Sequence, residues 1–410
     1  DIDEDQLQMM ITTLDYSDYV GRIGIGRVFA GSIKGGQSVE IISRNGKRTR
    51  QRVLQTLGFE GLSRKEVPEV QTGDICALVG LDPIDIGDII VNLEGKTTLV
   101  PVEVDQPTLT MTFRVNDSPF GGREGTFVTS RQIKDRLDKE LRSNVALRVE
   151  PGDSPEEFTV SGRGLMHLGI LLENMRREGF ELTAGKPRVI FKEVDGKIHE
   201  PIELLVVDCP SECSSAVMAL IGDRRAEMVS MDAKAGTSDY VHMEFRIPAR
   251  GLIGLRTRML NATQGRAIVH NSFDSYEPMK GEIPKRQEGV MIATETGSVN
   301  AYALDKLYDR GFFFVKPQDQ VYTGQIVGEH CKEGDIDVNV CTTKKLSNMR
   351  TTSKDDAAQI RPVREMSMET CLEYIQEDEL VEITPESIRV RKRLLSEADR
   401  RRVARKIKNG

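Results

Sequence analysis

Between residues 109 and 273 the spacing of apolar residues switches between two and about 3.6, and it does so twice in the same order. Leu109, Met111, Phe113 and Val115 alternate with Thr110, Thr112 and Arg114, which predicts a half-buried strand. Ile133, Leu137 and Leu141 then lie one turn apart among charges, with Thr129 or Ser130 placed to cap a helix. Strands are predicted near 145–149 and 158–160. A second helix, 165–178, carries Leu168, Leu171, Leu172 and Met175 on one face and meets Gly179 as its stop, and a strand at 189–191 closes the unit. The order β-α-β-β-α-β then recurs. A strand at 202–207 is followed by a helix at 214–221 bearing Val217, Leu220 and Ile221, and strands come next at 227–231 and 240–247. In the latter, Val241, Met243, Phe245 and Ile247 alternate with His242, Glu244 and Arg246. A helix at 252–260 and a strand at 267–273 complete the second round. Two ferredoxin-like βαββαβ units in tandem, joined by Asp195-Gly196-Lys197, satisfy this pattern.

The flanks read differently. Up to residue 104, apolar runs at 22–29, 37–42, 75–79 and 89–93 are separated by Gly-rich turns, the rhythm of a small β-barrel. Asn45-Gly46 predicts a two-residue hairpin with both central residues at positive φ. From 284 the chain is β-rich to Val340, polar and basic over 342–354, helical over 368–380 and extended over 381–390. It ends in a basic helix, 396–407, capped by Ser396. At roughly 150 residues per domain, 410 residues give three or four domains. The pattern gives four: 1–104, 105–196, 197–283 and 284–410. The fold class is therefore multidomain β and α+β.

No apolar run approaches the ~18–20 residues that span a bilayer, and Asp1-Ile2-Asp3-Glu4-Asp5 is the opposite of a secretory signal. Six scattered cysteines make no disulfide framework. A cytoplasmic protein without membrane contact is expected. Starting at Asp rather than Met, the chain is expected to be cut at a domain boundary. DNA is not expected as a partner; the net charge of −7 alone speaks against nucleic acid of any kind, but the charges are unevenly placed. Residues 388–410 hold ten Lys/Arg against two acids, and 365–386 hold eight acids and no base. These blocks are mutually neutralising, an interaction tail, or both.

No catalytic constellation emerges, and the chain is not expected to be an enzyme by itself. Gly95-Lys96-Thr97 ends like a phosphate loop, but Ile90 stands where the first glycine is required. Gly24 and Gly26 open a dinucleotide fingerprint that Phe29 breaks. Gly162-Arg163-Gly164 is either an anion-binding helix start or a tight turn. Cys209 and Cys213 have no second ligand pair nearby, and Pro201 breaks any metal-binding helix at His199-Glu200, so no metal is expected. Basic patches remain. The segment 342–354 holds Lys344, Lys345, Arg350 and Lys354 with no acid, and it adds Ser347, Asn348, Met349 and Thr351. Cations neutralise phosphate, while hydroxyls, Asn and Met reach sugar and base, so this is either an RNA-contacting loop or an ordinary surface loop. Arg44, Lys47, Arg48 and Arg50 crowd the predicted hairpin, and Arg391, Lys392 and Arg393 open the terminal block; both are secondary candidates for RNA contact.

At these residues a family resemblance appears. Tyr19, Gly21, Gly26-Arg27-Val28, Gly31, Ile33 and Gly36-Gln37 resemble the second-domain β-barrel of translational GTPases. Ser161-Gly162-Arg163-Gly164-Leu165-Met166-His167-Leu168, Glu173-Asn174-Met175-Arg176-Arg177 and Gly185-Lys186-Pro187 resemble the third domain of elongation factor G. Glu200-Pro201-Ile202 and Thr263-Gln264-Gly265-Arg266 resemble its fifth domain. The segments 344–350 and 388–402 resemble the C-terminal domain peculiar to BipA/TypA translational GTPases. One departure stands out: Leu165-Met166 occupies the place where the pattern has Glu before the His-containing turn. The resemblance implies the ribosome-binding part of a translational GTPase acting in translation, ribosome assembly or stress adaptation. It implies contacts with both ribosomal subunits, rRNA and an A-site tRNA, and a GTP-binding domain in cis that would hold GTP and Mg and that these residues lack. Two other readings stay open: a GTP-independent RNA-binding assembly module, and a ligand sensor built on tandem ferredoxin-like units.

Overall fold

The structure is a computed structural model that describes residues 6–17, 19–61, 63–101, 106–233, 239–283, 286–343 and 362–409, the last three as backbone only. The chain forms two compact units, residues 1–107 with 134–149, and residues 108–133 with 150–410.

In the first unit eight strands pair antiparallel in the order Arg48–Arg52, Ser38–Ile42, Ile89–Asn92, Gln8–Ser17, Gly21–Ala30, Ile75–Val79, Gln55–Glu60, Ser63–Glu66. Where a barrel was predicted, the sheet is open: its first and last strands do not pair with each other among the described residues. One face still closes on a single core of Met9, Ile11, Val28, Val39, Ile41, Cys76 and Leu78, all fully buried. Gly26 is dictated by this packing, because a Cβ there would stand 1.9 Å from the Met10 carbonyl oxygen. The hairpin after Ile42 also differs from expectation. Five residues link its strands, and the Ser43 N–H donates to the Lys47 carbonyl (2.9 Å) while the Gly46 N–H donates to that of Ser43 (2.8 Å). Gly46 alone takes positive φ (78°), and Asn45 instead accepts the Lys47 N–H through Oδ1 (3.0 Å). The chemistry is that of a type I turn closed by a left-handed glycine, which needs only one such residue.

Both predicted βαββαβ rounds are present, residues 134–149 of the first being counted with the first unit. Numbered along each round, the strands lie in the order 2-3-1-4. In the first round this is Arg148–Pro151, Glu157–Gly162, Leu109–Val115, Leu182–Ala184; in the second it is Glu227–Ala233, Tyr240–Pro248, Lys197–Pro210, Ile268–Pro278. Local chemistry sets the helix ends. Thr129 and Gln132 form a capping box at the start of helix Ser130–Leu141: Gln132 Oε1 accepts the Thr129 N–H (3.0 Å), and Thr129 Oγ1 accepts the Gln132 N–H (3.4 Å). Helix Leu165–Arg177 ends at Gly179, where the Phe180 N–H reaches back to Met175 O (3.0 Å) and the Gly179 N–H to Arg176 O (3.1 Å). The fourth strand of the first round is Leu182–Ala184, not the predicted 189–191. Gly185-Lys186-Pro187 interrupts it, Pro having no N–H to give a ladder, and pairing with the same neighbour resumes at Arg188–Val189. In the second round the predicted single helix is two, Ala249–Leu252 and Leu255–Ala262, separated at Gly254 (φ 72°). Leu109, Val189 and Ala249, with Leu165 and Ile253, pack the two rounds together.

The C-terminal stretch does not stand apart. Strand Glu379–Ile383 pairs antiparallel with Leu182–Ala184, and Ile388–Lys392, Gln325–Glu333, Glu288–Ala293 and Ile336–Val338 follow. One eleven-stranded sheet therefore crosses the boundaries predicted at 196 and 283. A helix not anticipated, Ala301–Leu307, is started by Asn300, whose Oδ1 accepts the Tyr302 N–H (2.9 Å). The predicted helix 368–380 is only Met368–Tyr374, and helix Glu397–Asn409 closes the chain.

Candidate nucleic-acid interface

The predicted RNA-contacting residues Lys344, Lys345, Ser347, Asn348, Met349, Arg350, Thr351 and Lys354 lie outside the described residues. The chain on either side of them is firmly seated. Val338 and Val340 are buried in the cluster of Met291, Val321 and Val327. On the return, Val363 packs on that cluster and the Arg364 N–H donates to Phe313 O (3.0 Å). Both ends of the stretch thus rise from one core.

The cations of the first hairpin are exposed, as a sheet-edge strand requires. Arg48 and Arg50 lie opposite Ile42 and Glu40, and both reach Glu40, at 3.1 and 2.9 Å. The Arg50 hydrogen bond leads in holding the Glu40 carboxyl below the usual carboxylate range, against the effect of its burial. Arg48 also donates to Gly95 O (2.9 Å). Arg44 and Lys47, at the turn, make no ion pair among the described residues.

Residues 391 and 392 are corrected by the structure. Arg391 and Lys392, expected at a surface, are 1 % and 2 % exposed, because their strand lies inside the eleven-stranded sheet; only Arg393 is exposed. Register places Lys392 opposite Glu379 and Arg389 opposite Glu382, so the acidic and basic blocks neutralise each other across a hairpin. Lys392 Nζ meets Glu379 (3.0 Å), Asp378 (2.7 Å) and Asp335 (2.7 Å); these carboxylates raise its pKa although burial works against it. Arg391 pairs with Asp117, and Arg389 with Glu124 and Glu382. Glu382, wholly buried, also accepts from the Tyr322 hydroxyl (2.6 Å), Ser118 Oγ (2.7 Å) and Asn116 Nδ2 (2.9 Å). These cations join parts of the chain to one another and are turned away from any outside ligand. Sequence spacing alone could not show this, since it places Arg and Lys outside by default.

The remaining motifs are structural. Gly95 closes a tight turn on Asn92 O (2.9 Å), and Thr97 gives its hydroxyl to Gln8 Oε1 (3.0 Å), so these residues do not form a phosphate loop. The Arg163 N–H donates to His167 Nδ1 (3.3 Å), folding the 162–164 turn onto its own helix. Cys209 and Cys213 belong to the core of the second βαββαβ round. Burial pushes the Cys76 and Cys371 thiols up to about 12. Among the described residues no three His, Cys, Asp or Glu side chains gather as a metal site, and no helix is long and apolar enough to cross a membrane. The basic block that the sequence leaves as neutralised, an interaction tail or both also includes the far half of helix Glu397–Asn409, where residues 401–406 are all exposed.

Comparison with known proteins gives three family matches and a set of curated relatives. Family models match in series: elongation factor Tu domain 2 over residues 21–91, elongation factor G C-terminus over 197–287, and TypA/BipA C-terminal domain over 288–397. Curated relatives named large ribosomal subunit assembly factor BipA are 49% identical in Synechocystis (94% of this chain, 64% of the relative), 46% in Bacillus subtilis (99% and 66%) and 45% in Escherichia coli K12 (100% and 67%). The chain spans about two thirds of the length of these relatives. With such identity along nearly all of its residues, and translation-factor domains in that order, the chain belongs to the BipA/TypA family.

Proposed function

We propose that this chain is the ribosome-docking part of a cytoplasmic translational GTPase acting in large-subunit assembly, and that it binds rRNA and the acceptor arm of an A-site tRNA. The observation that carries this is the 45–49% identity to proteins named as large ribosomal subunit assembly factors, extending over 94–100% of the chain. On this reading the open sheet faces the small subunit and the two βαββαβ rounds, read as ferredoxin-like domains, face the large one. The 344–354 segment, held at both ends by the C-terminal core, is the part that meets tRNA and rRNA. GTP and Mg would be held by a segment other than these residues, and no step of nucleotide chemistry is assigned to them. Ribosome binding by a chain of net charge −7 depends on cations gathered where phosphate is met, so it should be steeply salt-dependent.

Co-sedimentation with purified ribosomes over a salt series tests the reading. The variant Lys344→Ala/Lys345→Ala/Arg350→Ala should bind more weakly, with a log–log salt slope shallower by about 2–3 units, at roughly 0.7–0.9 per lost phosphate contact. Equal binding by variant and parent would remove the segment from the interface. Absence of binding at low salt would overturn the ribosome reading for this chain.

A further inference from the structure

Of the ten cations of residues 388–410, the fold sorts eight into two sets. Arg389, Arg391 and Lys392 are consumed inside the sheet, and Arg400 is an anchor: its guanidinium pairs with Asp337 and donates to the Leu394 and Leu395 carbonyls (3.2 and 2.7 Å). Beyond Arg400 the helix changes character. Arg401, Arg402, Val403, Ala404, Arg405 and Lys406 are all exposed, so no described part of the chain covers the helix there. At 3.6 residues per turn the four cations fall within an arc of about 140°.

This arrangement is costly for an isolated helix. Arg401 and Arg405, and Arg402 and Lys406, are like-charged pairs four residues apart, which destabilise a helix. Acids answer only from the first turn, Glu397 to Arg401 and Asp399 to Arg402 (3.6 Å). Both arginines are more than 70 % exposed (71 % and 73 %), so these pairs are weak and easily exchanged. Arg405 and Lys406 have no ion-pair partner among the described residues. The helix dipole favours cations near this end, but by less than about 1 kcal/mol each, and it does not call for a four-residue face.

We propose that the outward face of helix Glu397–Asn409 is a phosphate-binding surface for an RNA backbone, separate from the 344–354 segment. Charge complementarity selects a polyanion. Cations at i and i+4 are about 6 Å apart along the axis, close to the step between successive phosphates of one strand. A lipid surface is the poorer match, because Val403, Ala404 and Ile407 are the only apolar residues in this half of the helix, with no aromatic or leucine to enter the acyl region. The TypA/BipA C-terminal domain match ends at residue 397, where this helix begins, while the relatives in Bacillus subtilis and Escherichia coli K12 match 99% and 100% of the chain. The inference uses the ribosome reading only for the source of the RNA.

The test compares the whole chain with Arg401→Gln/Arg402→Gln/Arg405→Gln/Lys406→Gln, using purified ribosomes, an RNA duplex of arbitrary sequence, and phosphatidylserine–phosphatidylcholine vesicles. Gln keeps helix propensity at exposed positions, and circular dichroism confirms the fold. The expected result is RNA-duplex binding whose log–log salt slope is shallower by about 3 units in the variant, with little vesicle binding by either protein. Duplex binding lost in the variant, with no ribosome binding by the parent, would uphold the helix and overturn the ribosome reading. Ribosome binding of equal strength and slope in both proteins would overturn the helix and spare the ribosome reading. Helix-dependent capture by vesicles but not by RNA, or no RNA binding by the parent at low salt, would also overturn it.

Discussion

Two hairpins of this chain carry the same charge pattern and come to opposite ends. In the first unit Glu40 on strand Ser38–Ile42 faces the arginines of Arg48–Arg52; in the second, Glu379 and Glu382 on Glu379–Ile383 face the cations of Ile388–Lys392. The first hairpin ends its sheet, and its Arg50 side chain is 65 % exposed. The second lies between Leu182–Ala184 and Gln325–Glu333, and its Arg391 is almost fully buried. Position within the sheet, set by strands far away in the chain, decides whether a run of cations is available to a partner or spent on the fold.

The largest effect should come from the buried side of this comparison. Glu382→Ala leaves the Tyr322 hydroxyl and Ser118 Oγ without their acceptor and takes one of two carboxylates from Arg389, which keeps Glu124, and from Asn116, which keeps Glu181; two orphaned buried hydroxyls should cost about 2–5 kcal/mol. Urea unfolding followed by hydrogen exchange on peptides from 379–392 would read it. A loss below about 1 kcal/mol would mean that water reaches the site and that the hairpin is not buried.

A smaller effect should appear with pH. Burial acts to raise the pKa of Glu124, but hydrogen bonds from Thr384 and Arg389 and the Arg389 charge outweigh it and bring it below the ordinary 4.5. A carboxylate with a depressed folded pKa stabilises fully above its unfolded value, and the contribution is lost as pH falls through the folded one. The second unit should therefore weaken as pH drops below about 4.5, and Glu124→Gln should lose less over the same range. Identical pH profiles would dissociate Glu124 from the buried network. The smallest effect belongs to Glu40→Gln. Its arginines pass directly to water, so the urea midpoint of the first unit should scarcely move. A shift rivalling that of Glu382→Ala would erase the distinction between the hairpins.

Much of the fold was legible where one residue governs one local decision. Alternation at 109–115 and 240–247 marked strands, Thr129-Ser130 marked a helix start, and Gly179 marked a stop. Less legible were events set by distant partners. Residues 189–191 have strand composition, but Leu182–Ala184, short and wholly buried, is the fourth strand because Glu379–Ile383 arrives beside it. The same arrival buries Arg391 and Lys392, which no local rule anticipates. Helix Ala301–Leu307 went unseen in a β-like stretch although Asn300 is a good N-cap. Of the candidate site, the exposed cations Arg44 and Lys47 at the turn and Arg48 and Arg50 on the strand were readable because a turn and an edge strand keep their charges in water.

The pairing of Leu182–Ala184 with Glu379–Ile383 also has a consequence in time. The partners are separated by roughly 200 residues of chain. At about 5–20 residues per second, a ribosome making this protein takes roughly 10–40 s to deliver the second strand after the first. Throughout that interval the first βαββαβ round holds a hydrogen-bonding edge open at Leu182–Ala184, the kind of edge that recruits stray strands. The nascent chain is most vulnerable to mispairing in that window, and the Glu382 and Arg389 that secure the closed seam arrive only with the second strand and the one after it.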